Sequence, residues 1–351
     1  MSASRVGRAS LKKAGSVPGP QRLNSQIPQP QKKTLPKRTN PLLINPPPSA
    51  TAPKHGISPR IMTFMGIGML TISTYCGFLY ASYTREVNQS QSLTVPQDVS
   101  DRYNHTAATF DADVDMSERL MRLGRKRHDL IQMAKGNVLE VSCGTGRNLA
   151  YYDLSQVQGQ GQGVVERGQG PGQGQGQGQG LLKGCRSVTF IDLSPQMVEV
   201  TRQKFERMHP RSMQRVSFAV ADAGTVNPSV AGAVAAAASA GAATPRYFDT
   251  IVQTMGLCSM PDPVGTLRHL GSITEPQHGR ILLLEHGRSY YDWLNRVLDN
   301  LAPAHADRHG CWWNRDIGKI VRDSGLEVVE EKRWHFGTTW RYVLRPRLKS
   351  D

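Results

Sequence analysis

The stretch VLEVSCGTGRN, residues 138–148, decides the fold. Residues 137–141 form a short apolar run of the kind that builds a buried strand. A turn with two glycines, Gly144 and Gly146, follows this run and leads toward a helix. Glycine lets the backbone approach a ligand closely where a Cβ atom would collide. The stretch therefore predicts a strand, a ligand-binding turn and a helix in succession.

Two interpretations of this turn compete, and the residues around it separate them. A dinucleotide-binding turn has a third glycine three residues after the second, but that position is Leu149 here. Glu140 stands four residues before Gly144, near the end of the strand. Its carboxylate would repel a pyrophosphate, whereas it suits a cationic ligand or an ordered water that contacts one. The turn therefore favours a cationic ligand over a dinucleotide.

The rest of the chain from residue 101 alternates helical and extended patterns. Ser117 is predicted to open a helix before the first strand, and Ser194 with Pro195 opens another after the second strand. The final two strands are separated by a link too short for a parallel crossover, so they should be antiparallel. We predict an α/β fold with a doubly wound, mostly parallel seven-stranded sheet and an antiparallel C-terminal strand pair. The later strands are predicted at residues 188–192, 216–220, 248–253, 280–284, 326–331 and 338–344.

Acidic residues follow three successive strands, at the edge where such sheets bind ligands. Glu140 is near the end of the first strand, Asp192 ends the second, and Asp222 follows the third. A carboxylate in the position of Asp192 accepts hydrogen bonds from ribose hydroxyls. Alternatively, Asp192 only caps the helix that follows it.

On these residues the chain resembles the class I S-adenosylmethionine-dependent methyltransferases, which usually have glycine where Ser142 stands. The resemblance implies S-adenosylmethionine as the cofactor. It implies that Glu140 helps to hold the methionine amino group, that the glycine turn lies beneath the cofactor, and that Asp192 binds the ribose. A residue just after Asp192 would lie near the adenine, and Asp222 would accept a hydrogen bond from the adenine amino group. The implied cofactor-binding residues are Glu140, Ser142, Cys143, Gly144, Thr145, Gly146, Asp192, Leu193, Asp222 and Ala223.

Segments near the fifth strand narrow this resemblance. Residues 284–288 read LEHGR, and residues 310–317 read GCWWNRDI. With these segments the chain resembles membrane-anchored methyltransferase-like proteins related to the ubiquinone and menaquinone C-methyltransferases, in particular the fungal mitochondrial inner-membrane group. The resemblance implies an enzyme and leaves its acceptor open between a lipid-like or quinone-like molecule from the membrane and a protein, an RNA or a thiol. A non-enzymatic scaffold that aids assembly of mitochondrial membrane complexes is the alternative.

A general base is needed if the acceptor is weakly acidic. His286 is the first candidate because it stands at a strand end, and His305 and His309 are further candidates. Trp312 and Trp313 either line an apolar substrate pocket or belong to the core.

The N-terminal region differs from the rest of the chain. Residues 1–60 contain 11 Lys and Arg, 11 Pro and no Asp or Glu, a composition typical of a mitochondrial targeting leader or, alternatively, of a disordered cytosolic tail. Residues 61–83 carry no charge and are long enough to span a bilayer once. We therefore expect a single-pass protein of the mitochondrial inner membrane, with a linker at residues 84–100 and the methyltransferase domain at residues 101–346.

Two insertions and the cysteine pattern complete the expectations. Gly-Gln repeats at residues 156–180 predict a disordered loop, and residues 226–244 are rich in Ala and Gly. The five cysteines are odd in number and form no CxxC pair, which argues against a zinc site and a disulfide framework. No metal ligand is therefore predicted. Because 11 of the 15 net positive charges lie in the leader, nucleic acid is not an expected partner of the folded domain.

Overall fold

The computed structural model describes residues 58–154, 184–232 and 246–347. The predicted leader up to residue 57, the Gly-Gln insertion and residues 233–244 of the Ala/Gly-rich insertion lie outside the described residues.

A seven-stranded sheet organises the described part of the domain, with the order β3-β2-β1-β4-β5-β7-β6. Strands β1 to β5 are parallel, and β7 is antiparallel to both of its neighbours. The predicted sheet and its antiparallel C-terminal pair are thus confirmed. The strands are β1 Gly136–Val141, β2 Cys185–Asp192, β3 Val216–Val220, β4 Thr250–Thr254, β5 Arg280–His286, β6 Glu327–Trp334 and β7 Thr339–Arg345.

Among the described residues, eight α-helices accompany the sheet. Ser117 does not open a helix as predicted, because it lies inside α3, and the chain breaks before α4 at Arg122, whose φ of 50° is left-handed. A left-handed residue other than glycine leaves no local sequence signal, so the two helices could not be separated from the periodicity. The helices are α1 Pro59–Gln91, α2 Arg102–Thr106, α3 Phe110–Leu120, α4 Leu123–Ile131, α5 Pro195–Met208, α6 Pro263–Ser272, α7 Asp292–His309 and α8 Ile317–Ser324.

The helix that follows β2 begins as predicted. The Ser194 hydroxyl accepts a hydrogen bond from the Met197 amide over 3.3 Å, and Pro195 occupies the first helical turn. A side-chain oxygen at this position satisfies an amide that has no partner within the helix. The cap at Ser194 therefore fixes the position at which α5 begins after β2.

Apolar residues are buried on both faces of the sheet. Along β1, Leu139 and Val141 belong to one buried cluster, whereas Val138 belongs to the other. Along β5, Leu283 belongs to the same cluster as Leu139, and Leu282 belongs to the same cluster as Val138. Because successive strand residues point to opposite faces, this division is what a sheet covered by helices on both sides requires. The carboxyl ends of the strands stay free for a site.

Helix α1 begins two residues before the predicted span and ends eight residues after it. In the described part of the chain, it is the one helix long and apolar enough to cross a membrane. Large side chains such as Phe64 and Phe78 are exposed along it. Near its C-terminal end, the Tyr83 hydroxyl accepts a hydrogen bond from the Asn300 amide group of α7 over 2.9 Å. The final turns of α1 therefore pack against α7.

Candidate functional site

A cavity of about 1070 Å³ opens at the carboxyl ends of the parallel strands. It lies where strand-end ligand sites occur in sheets of this kind. His286, the first candidate base, also lines it, as do His305 and His309. Eight of the ten predicted cofactor residues line it, namely Ser142, Cys143, Gly144, Thr145, Asp192, Leu193, Asp222 and Ala223.

The turn after β1 contains three residues with left-handed backbone, namely Ser142, Gly144 and Gly146, with φ of 51°, 54° and 75°. A Cβ atom on Gly144 would have no described protein atom within 4 Å. A Cβ atom on Gly146 would lie 2.6 Å from Leu149. Gly144 therefore leaves space in this cavity, whereas Gly146 packs against Leu149 within the turn and does not line this cavity. The left-handed backbone at Ser142 gives a physical reason for the glycine that the methyltransferase pattern usually has there.

Asp192 connects the turn to the end of β2. One carboxylate oxygen accepts a hydrogen bond from the Gly144 amide, and the other accepts one from the Ser194 amide, both over 2.9 Å. Burial raises the pKa of Asp192, and the backbone hydrogen bonds oppose that shift without cancelling it. A carboxylate oxygen accepts more than one hydrogen bond, so these contacts leave capacity for a ligand. Capping and ligand binding are thus compatible roles for Asp192.

Asp222 and Leu193 occupy the same side of the cavity. The Asp222 carboxylate accepts a hydrogen bond from the Gly224 amide over 2.8 Å. Leu193 is 53% exposed although its side chain is large and apolar. An exposed apolar side chain beside carboxylates suits a flat, partly polar ligand group.

Glu140 does not line the cavity and contacts it through Asn148. It is 1% exposed, and its two oxygens accept hydrogen bonds from the Asn148 amide group over 3.0 Å and from the Tyr152 hydroxyl over 2.6 Å. Asn148 lines the cavity and accepts a hydrogen bond from Arg127, which also donates one to Thr254. Burial raises the pKa of Glu140 to about 7. A role of Glu140 toward the methionine amino group would act through Asn148 or an ordered water, and it stays a prediction.

Helix α3 is tied to the turn by charged groups. Arg147 donates hydrogen bonds to Asp111, Asp115 and Glu118 over 3.0, 2.8 and 3.0 Å. Thr145 donates one to Asp111 over 2.6 Å. Sequence reasoning missed this contact, although acidic residues at positions i, i+4 and i+7 mark one face of a helix. Helix α3 also lines the cavity and therefore acts as part of its cover.

A group of sulfur and imidazole side chains also lines the cavity. This group, the Cys-His cluster, comprises Cys258, His286 and Cys311, whose potential ligand atoms all lie within 4.8 Å of one another. Nε2 of His286 is 2.7 Å from Sγ of Cys311. The cysteines are 53 positions apart in the sequence, so their spacing carried no signal of this arrangement.

The other histidines of the cavity have a different environment. The His305 ring stacks on Trp313 with 4.0 Å between centroids. Burial, followed by the charge of His286, lowers the pKa of His305 to about 3. His305 is therefore neutral near pH 7. Trp313 lines the cavity, whereas the Trp312 indole donates a hydrogen bond to the Gln97 carbonyl over 3.2 Å.

The strand order, the antiparallel β7 and the cavity over Asp192 and Asp222 define the class of protein, which is the class I methyltransferase fold. A family model described as a methyltransferase domain matches residues 110–331. The chain belongs to this family.

Curated proteins and solved structures that are similar to this chain include the following three. The mitochondrial methyltransferase OMS1 of Saccharomyces cerevisiae is 36% identical over 256 residues, which are 73% of this chain and 48% of that protein. The chain thus spans about half the length of this relative. The N-methyltransferase NodS from Bradyrhizobium japonicum is 14% identical, with 72% of this chain and 100% of that chain covered and a TM-score of 0.44. An O-methyltransferase family protein from Burkholderia thailandensis is 15% identical, with 78% and 71% covered and a TM-score of 0.46.

Proposed function

We propose that the chain is an S-adenosylmethionine-dependent methyltransferase that acts on a small, lipid-like or quinone-like acceptor at a membrane. The observation that carries the proposal is the strand-end cavity, which is lined by Asp192, by Asp222 and by the left-handed turn at Gly144. Family membership supports the same activity.

The residues of the cavity fit S-adenosylmethionine. Asp192 has hydrogen-bond capacity for the ribose hydroxyls, and Asp222 has it for the adenine amino group. Leu193 offers apolar surface to the adenine ring, and the space at Gly144 admits a ligand close to the backbone. The volume of about 1070 Å³ slightly exceeds that of ordinary small-molecule sites, roughly 300–1,000 Å³. There is accordingly room for an acceptor beside the cofactor.

The bound cofactor would supply a methyl group on a sulfonium, and its transfer is an in-line displacement. The contribution of this chain is to position the reactants and to exclude water. Helix α3, held by Arg147, covers the cavity. Thr254 and His286 line it at the ends of β4 and β5. Where the acceptor must lose a proton, His286 is the group we assign to receive it.

The surroundings of the cavity suit an apolar acceptor delivered from a bilayer. Phe110, Val114, Met260 and Trp313 line it beside the histidines. Helix α1 has the length and composition of a membrane span, and its C-terminal end packs on α7, which contributes His305 to the cavity. The curated relative is mitochondrial by name, and the leader has a targeting composition. These features support our proposal that the chain is a single-pass protein of the mitochondrial inner membrane.

Two measurements on the full-length chain in detergent test the proposal. Titration calorimetry should show micromolar binding of S-adenosylmethionine. Incubation with methyl-labelled S-adenosylmethionine and mitochondrial membranes should place label in the fraction extracted by organic solvent. A folded chain that binds no cofactor would refute the proposal and favour the scaffold alternative. Label confined to protein, to RNA or to water-soluble thiols would refute the lipid-like acceptor.

A further inference from the structure

The Cys-His cluster brings together residues from three separate segments. Cys258 lies four residues after β4, His286 ends β5, and Cys311 lies two residues after α7. Cys258 is 1% exposed and Cys311 is 5% exposed, whereas His286 is half-buried. All three line the cavity.

Backbone and side-chain hydrogen bonds hold two of these segments together. The Cys258 carbonyl accepts hydrogen bonds from the Trp312 amide and from the Arg315 guanidinium group, both over 3.1 Å. The Tyr103 hydroxyl donates one to the Gly310 carbonyl over 3.1 Å and contacts Ser259 over 2.8 Å. The segments that carry Cys258 and Cys311 are therefore fixed next to each other by groups outside the cluster. Such support is what a site needs if its ligands are to keep their positions.

Two thiolates and an imidazole form a ligand set that zinc prefers. Zinc lies about 2.3 Å from sulfur and about 2.0–2.1 Å from nitrogen, and its catalytic sites have three protein ligands and one open position. At these bond lengths, the ligand atoms of a tetrahedral site are roughly 3.5–4 Å apart. The ligand atoms here lie within 4.8 Å of one another, so small side-chain rotations bring them to that spacing.

We propose that Cys258, His286 and Cys311 bind one zinc ion, with its fourth coordination position directed into the cavity. A zinc ion in such a position lowers the pKa of a hydroxyl group coordinated to it, so the ion would activate a weakly acidic acceptor and its proton would pass to water. His286 would then act as a metal ligand and not as the general base. That consequence rests on the proposed methyltransferase activity. The zinc site itself is inferred from the three side chains and from the hydrogen bonds that hold their segments together.

The metal content of the full-length chain tests the assignment. The chain is purified in detergent without chelators or a polyhistidine tag, and its zinc is measured by inductively coupled plasma mass spectrometry. We expect one zinc ion per chain. The double variant Cys258→Ser/Cys311→Ser should bind added Zn²⁺ at least about 100-fold more weakly, because loss of supporting contacts alone costs 10–100-fold. Cys185→Ser is the matched control, since Cys185 is equally buried but outside the cluster, and it should retain zinc.

A second measurement keeps the test valid if the double variant does not fold. The wild-type chain is stripped of metal and titrated with Co²⁺. The expected result is thiolate-to-cobalt charge-transfer absorption and the intense visible bands of a tetrahedral site. Alkylation mapped by mass spectrometry should then show Cys258 and Cys311 protected by Zn²⁺.

Three outcomes would overturn the assignment: a folded wild-type chain without zinc, no thiolate-to-cobalt absorption, or a Cys258–Cys311 disulfide in protein prepared without oxygen. S-adenosylmethionine binding is measured on the same samples. Zinc without cofactor binding would refute the proposed function and leave the zinc site standing. Cofactor binding without zinc would refute the zinc site and leave the proposed function standing.

Discussion

The Gly144 amide donates a hydrogen bond to the Asp192 carboxylate over 2.9 Å. This bond joins the turn after β1 to the end of β2, so one carboxylate both shapes the turn and faces the cavity. Sequence reasoning treated capping and ligand binding as alternatives for Asp192, and the geometry accommodates both.

Asp192→Ala should weaken S-adenosylmethionine binding by about 1–3 kcal/mol, since it removes acceptors for the ribose hydroxyls and leaves the Gly144 amide without its partner. Titration calorimetry on the folded chain measures the change. Asp129→Ala, in a half-exposed position on α4, should leave the affinity unchanged. Equal affinities of the Asp192 variant and the wild type would contradict the ribose assignment.

Alanine substitutions at the two glycines of the turn should have different effects. Gly146→Ala places a Cβ atom 2.6 Å from Leu149 in a left-handed residue, so it should lower the free energy of unfolding by more than about 1 kcal/mol. Gly144→Ala shares the backbone strain but meets no described protein atom within 4 Å. Its Cβ atom instead occupies ligand space.

Urea unfolding and calorimetry separate the two effects. For each variant, the loss of cofactor affinity is compared with the loss of stability. This ratio should be larger for Gly144→Ala than for Gly146→Ala. If Gly146→Ala shows the larger relative loss, the assignment of Gly144 to the ligand-facing side of the turn is wrong.

Arg147→Gln should release α3 from the turn. The variant loses ion pairs to Asp111, Asp115 and Glu118 that are only partly exposed, and we expect cofactor affinity to fall about 3- to 30-fold, or about 0.7–2 kcal/mol. Hydrogen exchange of residues 110–120 should become faster. Arg202→Gln removes comparable ion pairs on the surface of α5 and should change neither quantity. Unchanged exchange in the Arg147 variant would show that α3 is held by other contacts.

The stability of the chain should depend on pH through Glu140. Burial raises its pKa in the folded state from the usual 4.5 to about 7, so the folded state binds a proton more tightly than the unfolded state does. Its contribution to the free energy of unfolding is therefore largest below pH 4.5, falls as the pH rises to about 7, and then stays low. Glu140→Gln should make the stability curve flatter between pH 4.5 and 7.

Denaturant unfolding at a series of pH values measures this dependence. Glu206→Gln, which changes an exposed carboxylate on α5, serves as the control and should keep the wild-type slope. A Glu140 variant that also keeps that slope would show that Glu140 does not titrate in this range.

Much of the architecture was predictable because it depends on short-range patterns. Apolar runs marked the strands, Ser194 and Pro195 marked the start of α5, and a short link required the final strands to be antiparallel. Carboxylates directly after strands also had to meet at one edge of the sheet, because the strands are parallel. The sequence by itself thus determined the sheet and the glycine turn, and eight of the ten residues predicted to bind the cofactor line the cavity.

The tertiary structure alone decided what depends on distant segments. It placed Glu140 behind Asn148, laid α3 against Arg147, and brought Cys258, His286 and Cys311 to one point. The spacing of the acidic residues on α3 marks a helix face but does not say which group that face contacts. The partners depend on which strands are neighbours and on where each helix packs. Chain segments far apart in sequence meet only when the whole sheet is assembled, and the chemistry of the cavity is determined at that stage.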